Sequence, residues 1–129
     1  MHSLILDTHI FLWWLFDDPR LSKKLRRRLA DPKQRCLVSS ASVWEIATKY
    51  RLGKLPQAES VARNVPEWIG KAGFAALPIS PSHAQLAGAL NHTHRDPFDR
   101  MLVAQAKIEG LPLATDDAVL KTFDIEISN

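Results

Sequence analysis

Leu4-Ile5-Leu6 places three aliphatics in succession, and Asp7 and a helical period follow at once. An apolar run without alternation suits a strand covered on both faces, as in the middle of a parallel sheet. Ligands in such sheets bind just beyond the carboxyl ends of the strands, so Asp7 stands where chemistry is expected. The competing reading makes Asp7 a cap for the helix that begins near Thr8. Ile10 to Phe16 reads as that helix, closed by Asp17-Asp18-Pro19. From about Ser22 to Ala30, Leu21, Leu25 and Leu29 recur every four residues, while Arg20, Lys23, Lys24 and Arg27 fall on another face.

Cys36-Leu37-Val38 is a second strand candidate, and Ser39-Ser40 caps a helix running to about Leu52, with Gly53 just beyond its end. Val43, Ile46, Ala47 and Tyr50 form the apolar stripe of that helix. Periodicity therefore puts Glu45 on the opposite, solvated face. Gln57 to Asn64 and Pro66 to Lys71 suggest two short helices, Phe74 to Ile79 a third strand, and Pro81 to Leu90 a helix opened by Ser80. After the polar loop Asn91-His92-Thr93-His94-Arg95 comes a helix with both ends marked: Asp96 as N-cap, Pro97 at the first position, Gly110 as the stop. Asp99 lies in its first turn, where a carboxylate favours the helix dipole. It also shares a stripe with Leu102, Val103 and Ala106, and an acid on an apolar face needs a partner, which a cation would supply. Leu111 to Thr115 is a fourth strand candidate ending in Asp116-Asp117. Ala118 to Phe123 forms a short helix and Ile125 to Ile127 a last strand. Strands separated by helices predict an α/β fold with a mainly parallel sheet in a single domain over residues 1–129.

Composition adds little beyond exclusions. The 129 residues are 46% apolar and 24% charged, as in ordinary globular chains, and the net charge of +3 is a mild hint of a polyanionic partner. Six of the 17 basic residues fall between Arg20 and Arg28, which makes either a solvated face or a phosphate-contacting stripe. The single Cys36 excludes an intramolecular disulfide and, set in an apolar stretch, reads as a buried inert thiol in a reducing compartment. Asp7 and His9 interrupt the first apolar run and no basic stretch precedes it, so neither a signal peptide nor a membrane span is expected, and a cytoplasmic location is.

Two strands thus end in acid, at Asp7 and at Asp116-Asp117, and Asp99 opens a helix on its inward stripe. Right-handed crossovers bring such strand ends to one edge of a parallel sheet. Clustered carboxylates repel unless they share protons or bind cations, and hard oxygen donors without thiols suit Mg²⁺ or Mn²⁺ rather than zinc. His92-Thr93-His94 is a weak metal signal, and no glycine-rich phosphate loop or GxSxG nucleophile is present.

With those residues in place, the chain resembles the PIN-domain family, specifically the VapC-like toxin ribonucleases of type II toxin–antitoxin pairs. The matching pieces, in order, are Leu6-Asp7-Thr8-His9; Ser42-Val43-Trp44-Glu45-Ile46-Ala47 with Lys49 and Gly53-Lys54-Leu55; His94-Arg95-Asp96-Pro97-Phe98-Asp99-Arg100 with Ala104-Gln105-Ala106; and Thr115-Asp116-Asp117. The resemblance implies a three-layer α/β/α sandwich with the first strand central. It also implies an Mg²⁺- or Mn²⁺-dependent endoribonuclease that cleaves RNA phosphodiester bonds with metal-activated water. Asp7, Glu45, Asp99 and Asp117 would be its metal-binding and catalytic acids, which restores to Glu45 a role that periodicity denies it. Asp96, Asp116, Thr8 and Thr115 are secondary candidates, and Arg20, Lys23, Lys24 and Arg27 candidates for RNA contact. A cognate antitoxin and a homodimer are the implied partners, with no membrane involved. Two other readings stand beside it: a receiver-like or partner-binding α/β module with a non-catalytic acidic pocket, and an aspartyl-phosphate phosphohydrolase. The latter usually carries a second acid two residues after the first, where this chain has His9.

Overall fold

Leu4, Ile5 and Leu6 are fully buried because they point alternately into two separate cores. The computed structural model describes residues 3–129. Its strands are β1 (Ser3–Leu6), β2 (Arg35–Ser39), β3 (Ala75–Leu77), β4 (Leu113–Ala114) and β5 (Ile127–Ser128), paired in the order β3-β2-β1-β4-β5 with every neighbour parallel. β1 is central, with Ile5 opposite Leu37 on one side and Leu113 on the other. On one face, Leu4, Leu6, Cys36 and Val38 meet α1 (Thr8–Leu15), α2 (Lys23–Ala30), α3 (Ser40–Arg51), α4 (Glu59–Ala62) and α5 (Val65–Lys71) through Phe11, Leu25, Ile46, Val61 and Ile69. On the other, Ile5, Leu37 and Leu113 meet Leu102, Val103 and Ala106 of α7 (Pro97–Glu109), and α6 (Pro81–Ala89) lies against α7. This is the expected three-layer sandwich.

Local signals account for the helix ends. Ser22 and Ser39 accept hydrogen bonds from the backbone N–H groups of Leu25 and Ala41, and the Asp96 side chain from Phe98 and Asp99. Gly110 closes α7 with φ +66°, in the left-handed region that glycine enters without strain. Cys36 is buried and free, and burial pushes its thiol up to about 11, so it is inert as anticipated. The peripheral strands are shorter than the apolar runs suggest. Phe74 donates its N–H back to Ile69 at the end of α5, and β3 stops before Pro78. The segment read as a helix from Ala118 to Phe123 is a single 3₁₀ turn at Leu120–Thr122. No helix among the described residues is long and apolar enough to cross a membrane.

Candidate active site

The Asp7 backbone continues β1, its N–H donating to the carbonyl of Ala114 at 2.9 Å, and its carboxylate emerges at the carboxyl edge of the sheet. Although Asp7 immediately precedes α1, its side chain makes no capping hydrogen bond. Instead the Thr115 hydroxyl donates to Asp7 Oδ2 at 2.7 Å, and the same Thr115 oxygen accepts from the N–H of Asp117 at 3.0 Å. The capping alternative for Asp7 is thereby set aside, and the two acid-tipped strands are joined through one threonine. Asp117 is half-buried, with Oδ1 accepting from the N–H of Val119, whereas Asp116 is exposed.

Glu45 is only 3% exposed, which overturns the expectation from periodicity. The covered side of α3 carries Ala41, Ser42, Glu45 and Ile46, while Ala47 is exposed. The helix touches both α1 and α7, so the side turned toward the sheet edge is enclosed even though it is polar. Burial is tolerable because each oxygen has a partner. Thr8, the first residue of α1, donates to Glu45 Oε1 at 2.6 Å and sits 2.8 Å from the Ser42 hydroxyl; Lys49, one turn on, donates to Glu45 Oε2.

Asp99 completes the group from the first turn of α7. His94 Nε2 lies 2.8 Å from Asp99 Oδ2, and Asp96 is occupied capping the helix. Burial raises the Asp7 carboxyl from 3.8 to about 6, against the Thr115 bond, with the negative charges of Asp99 and Glu45 adding to the rise. Burial likewise raises Asp99, against its bond to His94, with Asp96 and Glu45 contributing. Burial opposes the Lys49 ammonium, but the bond and charge of Glu45, together with Asp96 and Asp99, carry it above the ordinary lysine value. Asp7, Glu45 and Asp99 therefore act on one another as a single electrostatic cluster at the end of the central strand. Asp117 is carried beside it by Thr115, and Asp96 stands on its rim.

The donor chemistry fits a hard divalent cation, since it is built of carboxylates, two of them with proton affinity raised first by burial and further by neighbouring negative charge that a cation would offset. Ligand atoms of His94, Asp96 and Asp99 also lie within 4.8 Å of one another. Both backbone donors to Asp96 fall on its Oδ1, and the mutually interacting Asp7, Glu45 and Asp99 offer a second candidate seat. Sequence reasoning passed over Lys49, Ser42 and His94 as site residues. The Glu45–Lys49 spacing of one helical turn was the available signal for the first; the other two are brought in only by tertiary packing. The basic side chains Arg20, Lys23, Lys24 and Arg27 are all exposed. Lys23, Lys24 and Arg27 make no ion pair among the described residues, while Arg20 is bound to Asp18.

A parallel α/β sandwich with buried acids at the mouth of its central strand defines a class, and sequence and structural likeness place the chain within it. The PIN domain profile matches residues 4–126, and the chain belongs to that family. It is 28% identical over 127 residues to ribonuclease VapC22 of Mycobacterium tuberculosis, covering 95% of this chain and 92% of that protein. With ribonuclease VapC16 of the same organism it shares 41% identity over 69 residues, a match that spans about half of each protein. Among solved structures, the DNA-bound VapBC complex of Salmonella typhimurium superposes with a TM-score of 0.70 at 22% identity, covering 99% of this chain and 98% of that one. VapBC2 of Rickettsia felis, bound to a promoter fragment, gives 0.69 at 17% identity over 97% and 96% of the two chains.

Proposed function

We propose that this chain is a metal-dependent endoribonuclease of the VapC kind, the toxin of a toxin–antitoxin pair. The observation that carries the reading is the buried Asp7 carboxylate at the end of the central strand, fixed by Thr115 and crowded by Asp99 and Glu45. The names of its relatives point the same way. Asp7 and Asp99 would hold Mg²⁺ or Mn²⁺, with Glu45 and Asp117 completing the acidic set. When bound, the ion supplies the Lewis acidity that activates water and offsets charge on the scissile phosphate. The chain's own contribution is orientation. Thr115 fixes the rotation of Asp7, Thr8 and Lys49 hold the two oxygens of Glu45, and His94 holds Asp99. Lys49 also balances the charge of Glu45 and, more weakly, of Asp96 and Asp99. Purified protein is expected to cut single-stranded RNA with Mg²⁺ or Mn²⁺ and to stop on chelation. RNA left intact at saturating metal would remove this reading in favour of a non-catalytic acidic pocket.

The basic stripe gives a separate expectation. If Lys23, Lys24 and Arg27 on α2, with Arg20 before it, contact phosphates, replacing all four by neutral residues weakens RNA binding. The slope of log affinity against log salt then falls by about 2–3. An unchanged slope would make the stripe a solvated face.

The solved neighbours named above are VapBC complexes, and this reading assigns the chain an antitoxin partner and a homodimeric state. Trp13 and Trp14 pack half-buried against the α1 core, but Trp44 is 58% exposed, its ring 4.8 Å from that of Phe98 in an edge-on contact. The apolar surface around Trp44 and Phe98 suits a second copy of the chain. Light scattering is expected to show a dimer that Trp44→Lys weakens; a monomeric parent at micromolar concentration would discard it. A small partner encoded alongside should co-purify and suppress cleavage, and full activity at saturating partner would remove the toxin assignment.

A further inference from the structure

Beside the acidic cluster lies a hollow of about 310 Å³ between α1, the turn after it, and the 3₁₀ turn Pro56–Ala58. His9, Trp13, Phe16, Arg20 and Gln57 are among its walls. The aromatic groups do not close on each other: the His9 and Trp13 rings stand one helical turn apart with centroids 6.1 Å apart and planes at 47°, and Phe16 is exposed. The Arg20 guanidinium lies 5.0 Å from the centre of the Trp13 ring. Asp18 holds it there by accepting from Nε at 3.1 Å and from Nη2 at 2.7 Å. Its Nη1 donates to no group among the described residues, so the arginine that covers one face of the half-buried Trp13 ring keeps free N–H donors beside the exposed His9.

We propose that this hollow is a nucleobase subsite, which seats one unpaired RNA base next to the scissile phosphate on the His9–Trp13 rings with Arg20 contacting the adjoining backbone. The assignment rests on the ribonuclease reading above and adds to it the position at which a base is held. Unpaired bases are recognised by stacking on aromatic or guanidinium planes and by donors at their edges, and this hollow offers both, with Gln57 as an edge partner. Its volume falls at the small end of ligand pockets, suited to one flat ring rather than a long chain segment. Continuity supports the placement. His9 is two residues beyond Asp7 and near enough to act on its carboxylate, and Arg20 lies within the field of Asp116. Lys23, Lys24 and Arg27 follow directly on α2 as an exposed positive track for the phosphates beyond.

The test walks an abasic nucleotide along a labelled single-stranded RNA and measures both binding in chelator and cleavage in Mg²⁺. One abasic position, next to the cut bond, is expected to weaken binding about 5- to 100-fold and to raise KM with little change in kcat. His9→Ala, at an exposed position, and Trp13→Leu should each produce the same loss. In both variants the abasic penalty should disappear, because base and ring report one contact. Equal affinity for every abasic RNA, or variants that bind as the parent does, would overturn the subsite. So would variants that keep RNA affinity but lose a co-purifying protein partner, which would make the hollow a protein dock. A base effect on binding without any cleavage would leave the subsite standing and discard the ribonuclease reading alone.

Discussion

Asp7→Asn will remove most metal-dependent RNA cleavage and will at the same time stabilise the metal-free protein. The substitution keeps the size and the Oδ acceptor that Thr115 uses, but deletes a charge that burial, Asp99 and Glu45 all disfavour. Hydrogen-bond partners of metal ligands are worth about 10–100-fold, so on the proposed assignment of Asp7 as a ligand its loss should cost at least about 100-fold in cleavage. The pH dependence has a fixed sign. A carboxyl raised from 3.8 to about 6 in the folded state contributes stability that is fully present below about pH 4. That stability drains away as pH rises toward 6 and is absent above it. The metal-free parent should therefore be more stable at pH 5 than at pH 7.5 by roughly 1 kcal/mol, part of a total of about 3 kcal/mol that would be reached only well below pH 4. In Asp7→Asn that part of the slope should vanish. Saturating Mg²⁺ should reverse the ranking at neutral pH, stabilising the parent more than the variant. Asp99→Asn shares both signs, since its carboxyl is raised for the same reasons. If cleavage survives in both variants and Mg²⁺ shifts their melts as it shifts the parent's, the acidic cluster is not a metal site.

The parts of this site that were legible from sequence are those written in local order. Leu4-Ile5-Leu6 ending in Asp7 marked a central strand and its mouth, and Asp96-Pro97 with Gly110 marked both ends of α7, because strand burial and helix capping act within a few residues. Glu45 was legible only through family resemblance. Periodicity weighs apolar residues, and a helix side that is enclosed yet built of Ser42 and Glu45 looks like a solvent face by that measure. His94 shows a different limit. Its loop follows α6, and the packing of α6 on α7 together with the Arg100 bonds to the His92 and His94 carbonyls turns the imidazole onto Asp99. The outer strands came out short for a related reason: an apolar run shows that a segment can be covered, whereas its hydrogen bonds depend on neighbours far away in sequence. Arg20 was grouped with the basic stripe by spacing, but the structure holds it through Asp18 over Trp13.

Arg100→Ala will cost more stability than replacing any of the exposed basic residues, and Arg100→Lys will not rescue it. The guanidinium reaches five backbone carbonyls: Nε donates to Ala87 at 2.9 Å, Nη2 to Leu90 at 2.7 Å and to Gly88 at 3.4 Å, and Nη1 to His92 at 3.0 Å and His94 at 2.9 Å. Three of these close the C-terminal end of α6, whose last carbonyls have no partner within the helix, and two hold the loop that leads to α7. A planar fork can serve acceptors on several sides at once, whereas a lysine ammonium places all its donors on one nitrogen. Hydrogen bonds from a charged donor contribute about 1.5–3 kcal/mol when buried, and here water can reach part of the set. A total loss of about 2–4 kcal/mol is expected, lowering the melting temperature by roughly 10 °C. Because the same loop presents His94 to Asp99, cleavage should fall in both variants well below their melting temperatures. The Mg²⁺-free melt should drop in step and be nearly insensitive to salt, since every partner is a carbonyl. Parent-like melting of Arg100→Lys would show that charge rather than fork geometry holds the loop. A stable Arg100→Ala would show that the α6 end and the His94 loop are held by packing alone.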